Sequence, residues 1–125
     1  MTENKLASTI LDISFEIHKT LGPGLFESVY EEIICYELSR SGIEFKRQEV
    51  IPVTWKRRKM NIGFKADIIL ENRMIVEIKS VEQLAPVHHK QLLTYLRLTD
   101  IKLGLLINFN EALLKNGIKR IANNL

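Results

Sequence analysis

The chain has 125 residues, 46% of them hydrophobic, and a net charge of +3. That length suits a single domain over residues 1–125 with one buried core, and no apolar run approaches the roughly 18 residues that a membrane span needs. One cysteine and three histidines exclude an internal disulfide and make no zinc set.

The N-terminal stretch MTENKLAST has no basic segment leading into an apolar one, so it does not read as a secretory signal. The lone Cys35 fits a reducing cytoplasm. Leu6, Ile10, Ile13, Ile17 and Leu21 recur at intervals of three or four residues, which predicts an amphipathic first helix. Gly22-Pro23-Gly24 breaks it. A second helix is expected from Phe26 to Arg40, with Gly42 as a cap beyond its end. Strand-like sequence follows over Glu44 to Trp55, Asn61 to Leu70 and Met74 to Ile78. Pro86 suits the first turn of a third helix reaching Leu98. Ile101 to Asn108 is almost continuously apolar and predicts a buried strand. The tail from Glu111 to Asn123 accommodates a helical turn and a short strand around Ile118 to Ile121. The order is helix, helix, three strands, helix, strand, and the pattern alone implies a small α/β sheet domain.

The densest chemistry lies in GFKADIILENRMIVEIKS, residues 63–80. A turn made of Glu71, Asn72 and Arg73 sets Asp67 opposite Glu77 in an antiparallel pair. Side chains alternate along a strand, so Glu77 and Lys79 share a face while Ile78 points into the core. Two carboxylates then meet beside an ammonium. Like charges held together call for a cation, and a hard divalent ion such as Mg2+ or Mn2+ takes oxygen ligands. The bland alternative is a same-face surface pair, Glu77 and Lys79, on an edge strand.

This acid followed by Glu-x-Lys resembles the signature of the PD-(D/E)xK nuclease superfamily, except that Ala66 stands where the proline of that name would be. GLFESVY, residues 24–30, resembles the signature of the small bacterial and archaeal GxxExxY family, and QLLTY, residues 91–95, resembles the Q-x-x-x-Y motif of the RecB-like branch. The resemblance runs from about Leu6 to Asn123. It implies a restriction-endonuclease-like fold, a mixed sheet with the order α-β-β-β-α-β plus an extra N-terminal helix. It also implies a metal-dependent nuclease acting on DNA or RNA. The alternative is a catalytically weak nucleic-acid-binding or interaction module with the same fold.

By the same resemblance Asp67, Glu77 and Lys79 are catalytic, and Glu27, Asp67, Glu77 and the Ile78 carbonyl hold one Mg2+ or Mn2+ ion. Tyr30, Gln91 and Tyr95 touch substrate or active-site groups; the alternative for Tyr30 is a half-buried core tyrosine, and for Gln91 and Tyr95 an ordinary amphipathic helix with Leu92, Leu93 and Leu96 as its core stripe. An ammonium beside two acids stays protonated, so Lys79 is read as an electrostatic stabiliser rather than a base. The implied partner is nucleic acid and not a membrane, with room for a homodimer or for docking on a larger DNA-processing protein.

The remaining readings come from the residues alone. The basic turn Arg57, Arg58 and Lys59 could hold phosphates, or could be a solvated tip that keeps a strand from pairing with neighbours. Glu31 and Glu32 read as solvated helix face, and Trp55 as a packing residue beside the basic turn. His88 and His89 read as a polar helix start, since adjacent helical residues diverge by about 100°.

Overall fold

The computed structural model describes residues 1–125. Helix α1, Glu3–Leu21, begins at Thr2, whose side chain accepts from the Lys5 amide, and ends at Gly22, where φ is 74°. Helix α2 is Glu27–Arg40, and α3 is Pro86–Thr99. The strands are β1 Phe45–Ile51, β2 Thr54–Trp55, β3 Arg58–Lys59, β4 Phe64–Leu70, β5 Met74–Lys79, β6 Leu103–Asn108 and β7 Ile118–Ala122. A short 3-10 turn, Leu114–Gly117, precedes β7, as the reading of the tail anticipated.

The strand expected from Glu44 to Trp55 divides. Pro52 has no amide hydrogen to give a ladder, and β1 ends at Ile51. β2 and β3 then pair only with each other, around Lys56 and Arg57 with φ of 50° and 67°. Trp55 is therefore not a packing residue. It is 66% exposed, with the Lys56 ammonium 5.9 Å from its ring centroid.

The five longer strands form one sheet in the order β1-β4-β5-β6-β7. β5 and β6 are parallel, joined through α3, and the other pairs are antiparallel. This is a mixed α/β sheet consistent with a restriction-endonuclease-like fold, with α1 as the additional N-terminal helix. Helices α1 and α2 cover one face, where Leu6, Ile10, Ile34 and Leu38 pack with Ile68, Leu70, Met74 and Val76. Helix α3 covers the other, with Leu92 and Leu96 against Ile69, Ile75 and Leu106. Each fully buried Leu or Ile contributes about 1.5–3 kcal/mol, so β5, buried on both faces, is the axis of the fold. Gly104 lets α3 come close, because a Cβ there would stand 3.0 Å from the Leu92 side chain.

Ser14 is fully buried on the core side of α1, and its hydroxyl has no hydrogen-bond partner. An unpaired buried hydroxyl costs about 1–3 kcal/mol, and Ala is the better helix former. Ser14→Ala should raise the thermal midpoint by about 4 °C or more. A lowered midpoint would instead reveal a buried partner for the hydroxyl.

Candidate active site

The site forms where the β4–β5 ladder stops. Backbone pairing runs Leu70↔Met74, Ile69↔Ile75 and Ile68↔Val76, which leaves Glu71, Asn72 and Arg73 as the turn. At the next rung side chains replace the ladder. The Asp67 amide donates to Glu77 Oε2 at 3.1 Å, and the Ile78 amide donates to Asp67 Oδ2 at 2.8 Å. The two acids thus meet as the register expectation required, each held by the other strand's backbone.

Glu77 is 7% exposed and forms no ion pair. Burial pushes its carboxyl up to about 9, and the Asp67 charge adds to the rise; the Asp67 amide and, less strongly, Lys79 pull the other way. Lys79, half-buried, has no acid within ion-pair reach. Its ammonium is therefore free to act on something else.

Tyr95 reaches the same region from α3. Its phenol is raised by burial first and then by the charges of Glu77 and Asp67, and its ring packs on Phe64 with centroids 4.5 Å apart. Gln91, one turn earlier, is exposed. His88 is a helix-start residue as expected, its Nδ1 accepting from the Ala85 amide at 3.0 Å.

Glu27 stands at the first turn of α2, exposed, where it accepts from the Ser80 amide at 3.0 Å. That bond docks α2 against the end of β5 but leaves Glu27 out of the acid pair. No three His, Cys, Asp or Glu side chains gather at metal-binding spacing, so the expected convergence of Glu27, Asp67 and Glu77 on one ion is not present. In donor chemistry, Asp67 and Glu77 do fit a hard divalent cation. Their mutual repulsion is relieved by a proton on Glu77 or by a cation between them.

Tyr30 takes the core alternative rather than the substrate contact. It is fully buried and its ring stacks on Phe109 at 4.3 Å. Its hydroxyl donates to the Gly22 carbonyl at 2.7 Å and accepts from the Leu25 amide at 3.2 Å. It shapes the turn ahead of Glu27 and has no atom free for substrate.

Glu31 also departs from expectation. It is 6% exposed rather than solvated, because α2 docks beside β1. Arg47 Nε donates to Glu31 Oε2 at 2.6 Å, and Gln48 Nε2 donates to Glu31 Oε1 at 2.6 Å. Gln48 Nε2 also donates to Asp67 Oδ1 at 3.1 Å. Glu32 remains exposed.

Gln48 and Asp67 occupy a rung at which both strands turn over. Residues two apart on a strand normally share a face. Ile68 and Leu70 lie in the α1–α2 core, yet Ala66 lies in the α3 core. On β1, Phe45 packs on the first core and Ile51 belongs to the second. Gln48, between them, has φ of 52°. The register passes from Arg47↔Ile68 to Glu49↔Ala66, so no residue is inserted.

The basic turn is exposed along its whole length. It links the end of β1 to the start of β4, which is the end of the sheet where β5 finishes. The turn that carries Arg57, Arg58 and Lys59 therefore leaves and rejoins the sheet at the end where the acids meet.

The family model that matches this chain is described as the PD-(D/E)XK nuclease superfamily, and the match spans residues 4–121. No curated protein and no solved structure matches the chain.

Proposed function

Because the chain belongs to the PD-(D/E)XK nuclease superfamily, we propose that it is a metal-dependent nuclease that hydrolyses phosphodiester bonds in DNA or RNA. The observation that carries this reading is the meeting of Asp67 and Glu77 at the end of the β4–β5 ladder, with the unpaired Lys79 on the same strand. The finer affinity we favour is with the GxxExxY family and the RecB-like branch, on the strength of residues 24–30 and 91–95. Residues 1–125 then act as one nuclease-like domain.

In this reading Asp67 and Glu77 hold the divalent ion, Mg2+ or Mn2+. The bound ion supplies a polarised phosphoryl oxygen and a more acidic water. Lys79 orients the attacking water and stabilises charge that develops on the phosphoryl group. Tyr95 and Gln91 line the α3 side. Arg57, Arg58 and Lys59 grip the backbone phosphates away from the scissile bond, a contribution that weakens with salt. Glu27 steadies the loop after Lys79 through Ser80.

A rival reading, a nucleic-acid-binding module that does not cut, draws support from the lack of a three-acid cluster. End-labelled single- and double-stranded DNA and RNA oligonucleotides, incubated with Mg2+ or Mn2+ and again with a chelator, separate the two. Cleavage in metal alone is the expected result. Retained binding with no cleavage in any metal leaves the rival standing. The nuclease reading also requires that replacing Arg57, Arg58 and Lys59 with Ala weaken binding and flatten its salt dependence by about three phosphate contacts, with little change in saturated turnover.

A further inference from the structure

We infer that Gln48 is a positioning residue for Asp67, set in place by Glu31 and by its own left-handed backbone. This inference rests on the proposed nuclease site and adds to it a residue that carries no ligand or catalytic group itself.

The geometry gives Gln48 a specific task. Its side-chain amide faces two carboxylates, Glu31 Oε1 at 2.6 Å and Asp67 Oδ1 at 3.1 Å. Carboxylate oxygens accept, so both hydrogens of the amide are committed, one to each. A hydroxyl has a single hydrogen and could not serve both. An ammonium could, but its charge would oppose a cation at Asp67. A neutral group with two hydrogens on one atom meets both demands.

Glu31 is the fixed end of this chain. It is almost fully buried, and Arg47 occupies its other oxygen at 2.6 Å. Gln48 is solvent-exposed by comparison, so without Glu31 its long side chain would sample many rotamers. Asp67 is then held on both oxygens, Oδ1 by Gln48 and Oδ2 by the Ile78 amide. Each oxygen keeps a second lone pair for a cation. Fixing a ligand carboxylate by hydrogen bonds to its oxygens is worth about 10- to 100-fold in metal affinity or activity.

The backbone points the same way. A non-glycine residue with φ near 52° is uncommon inside a strand, and such conformations persist where surrounding contacts over-determine them. Here the distortion falls on the rung that faces Asp67. It is also the rung at which β1 and β4 turn over.

Gln48→Gly tests this directly, because glycine accepts the left-handed backbone while removing the whole side chain with its amide. Gln48→Met is the companion, similar in length but without a donor. Each variant is compared with the wild-type chain for thermal midpoint, for Mn2+ affinity by calorimetry, and for turnover and KM on an oligonucleotide the wild type cleaves. The expected result is an unchanged or higher midpoint for Gln48→Gly. Mn2+ affinity or turnover should fall about 10- to 100-fold in both variants, with KM for the oligonucleotide little changed. Wild-type Mn2+ affinity and turnover in either folded variant would overturn the inference while leaving the nuclease reading intact. A wild-type chain that neither binds Mn2+ nor cuts would overturn both. Should Gln48→Gly fail to fold, Gln48→Met decides.

Discussion

Lys79→Ala is expected to lower turnover at saturating oligonucleotide by a factor of about 10² or more, the scale for losing one preorganised electrostatic group. Lys79 makes no ion pair with Glu77 or Asp67, so its ammonium is not spent on holding the acids together. Its removal breaks no ion pair, and the thermal midpoint should hold. Metal affinity should stay the same or rise, because a repelling charge next to the site is gone. Substrate affinity should change by no more than one phosphate contact's share of the salt dependence. Turnover assays with Mg2+ in excess, set beside Mn2+ calorimetry, read both quantities. A fully active Lys79→Ala protein would remove Lys79 from the chemistry.

Glu77→Gln should stabilise the metal-free domain at neutral pH. The folded Glu77 carboxyl titrates at about 9, against 4.5 for an ordinary glutamate. Between those values the folded chain holds a proton that the unfolded chain has released. Stability contributed by that proton is therefore complete below the lower value and is lost progressively as pH rises towards the upper one. One pKa unit corresponds to about 1.4 kcal/mol, so the penalty at pH 7 is on the order of a few kcal/mol. Thermal melts without metal should show the wild-type midpoint falling as pH rises from about 5 to 9, with the Gln variant flatter and higher. Mn2+ should raise the wild-type midpoint by mass action and raise that of the variant much less. A variant that melts lower than wild type at pH 8 would make the Glu77 carboxylate a structural acceptor for the Asp67 amide.

Much of the fold was legible because it rests on period and punctuation. The recurrence of Leu6, Ile10 and Ile17 marked α1, and those three residues are indeed buried against the sheet. Pro86 marked the start of α3. The meeting of Asp67 and Glu77 was legible for a local reason: three residues close the turn, and register then follows from counting. What escaped depends on parts of the chain far apart. Gln48 sits in KRQEV with no periodic signal, and its importance comes from a backbone angle and from Glu31 on another element. Glu31 looks like a helix-surface acid until α2 docks beside Arg47. Tyr30 loses its apparent availability only when Phe109 arrives to stack on it. Glu27 belongs to the α2 start in sequence and in space, yet its distance from the acid pair is set by how α2 meets Ser80.

The left-handed turn at Gln48 also bears on how copies of this protein avoid one another. β1 is an outer strand of the sheet, and an outer strand offers a row of free amides and carbonyls on which a second chain can crystallise its own strand. A regular seven-residue edge such as Phe45–Ile51 would be a good template. The φ of 52° at its middle residue breaks that row in two, and exposed Lys46 and Arg47 add charge beside the break. At the opposite border, exposed Lys119 and Arg120 guard the short β7. One kink in the backbone thus sits where an amide meets Asp67 and spoils the sheet border for aggregation.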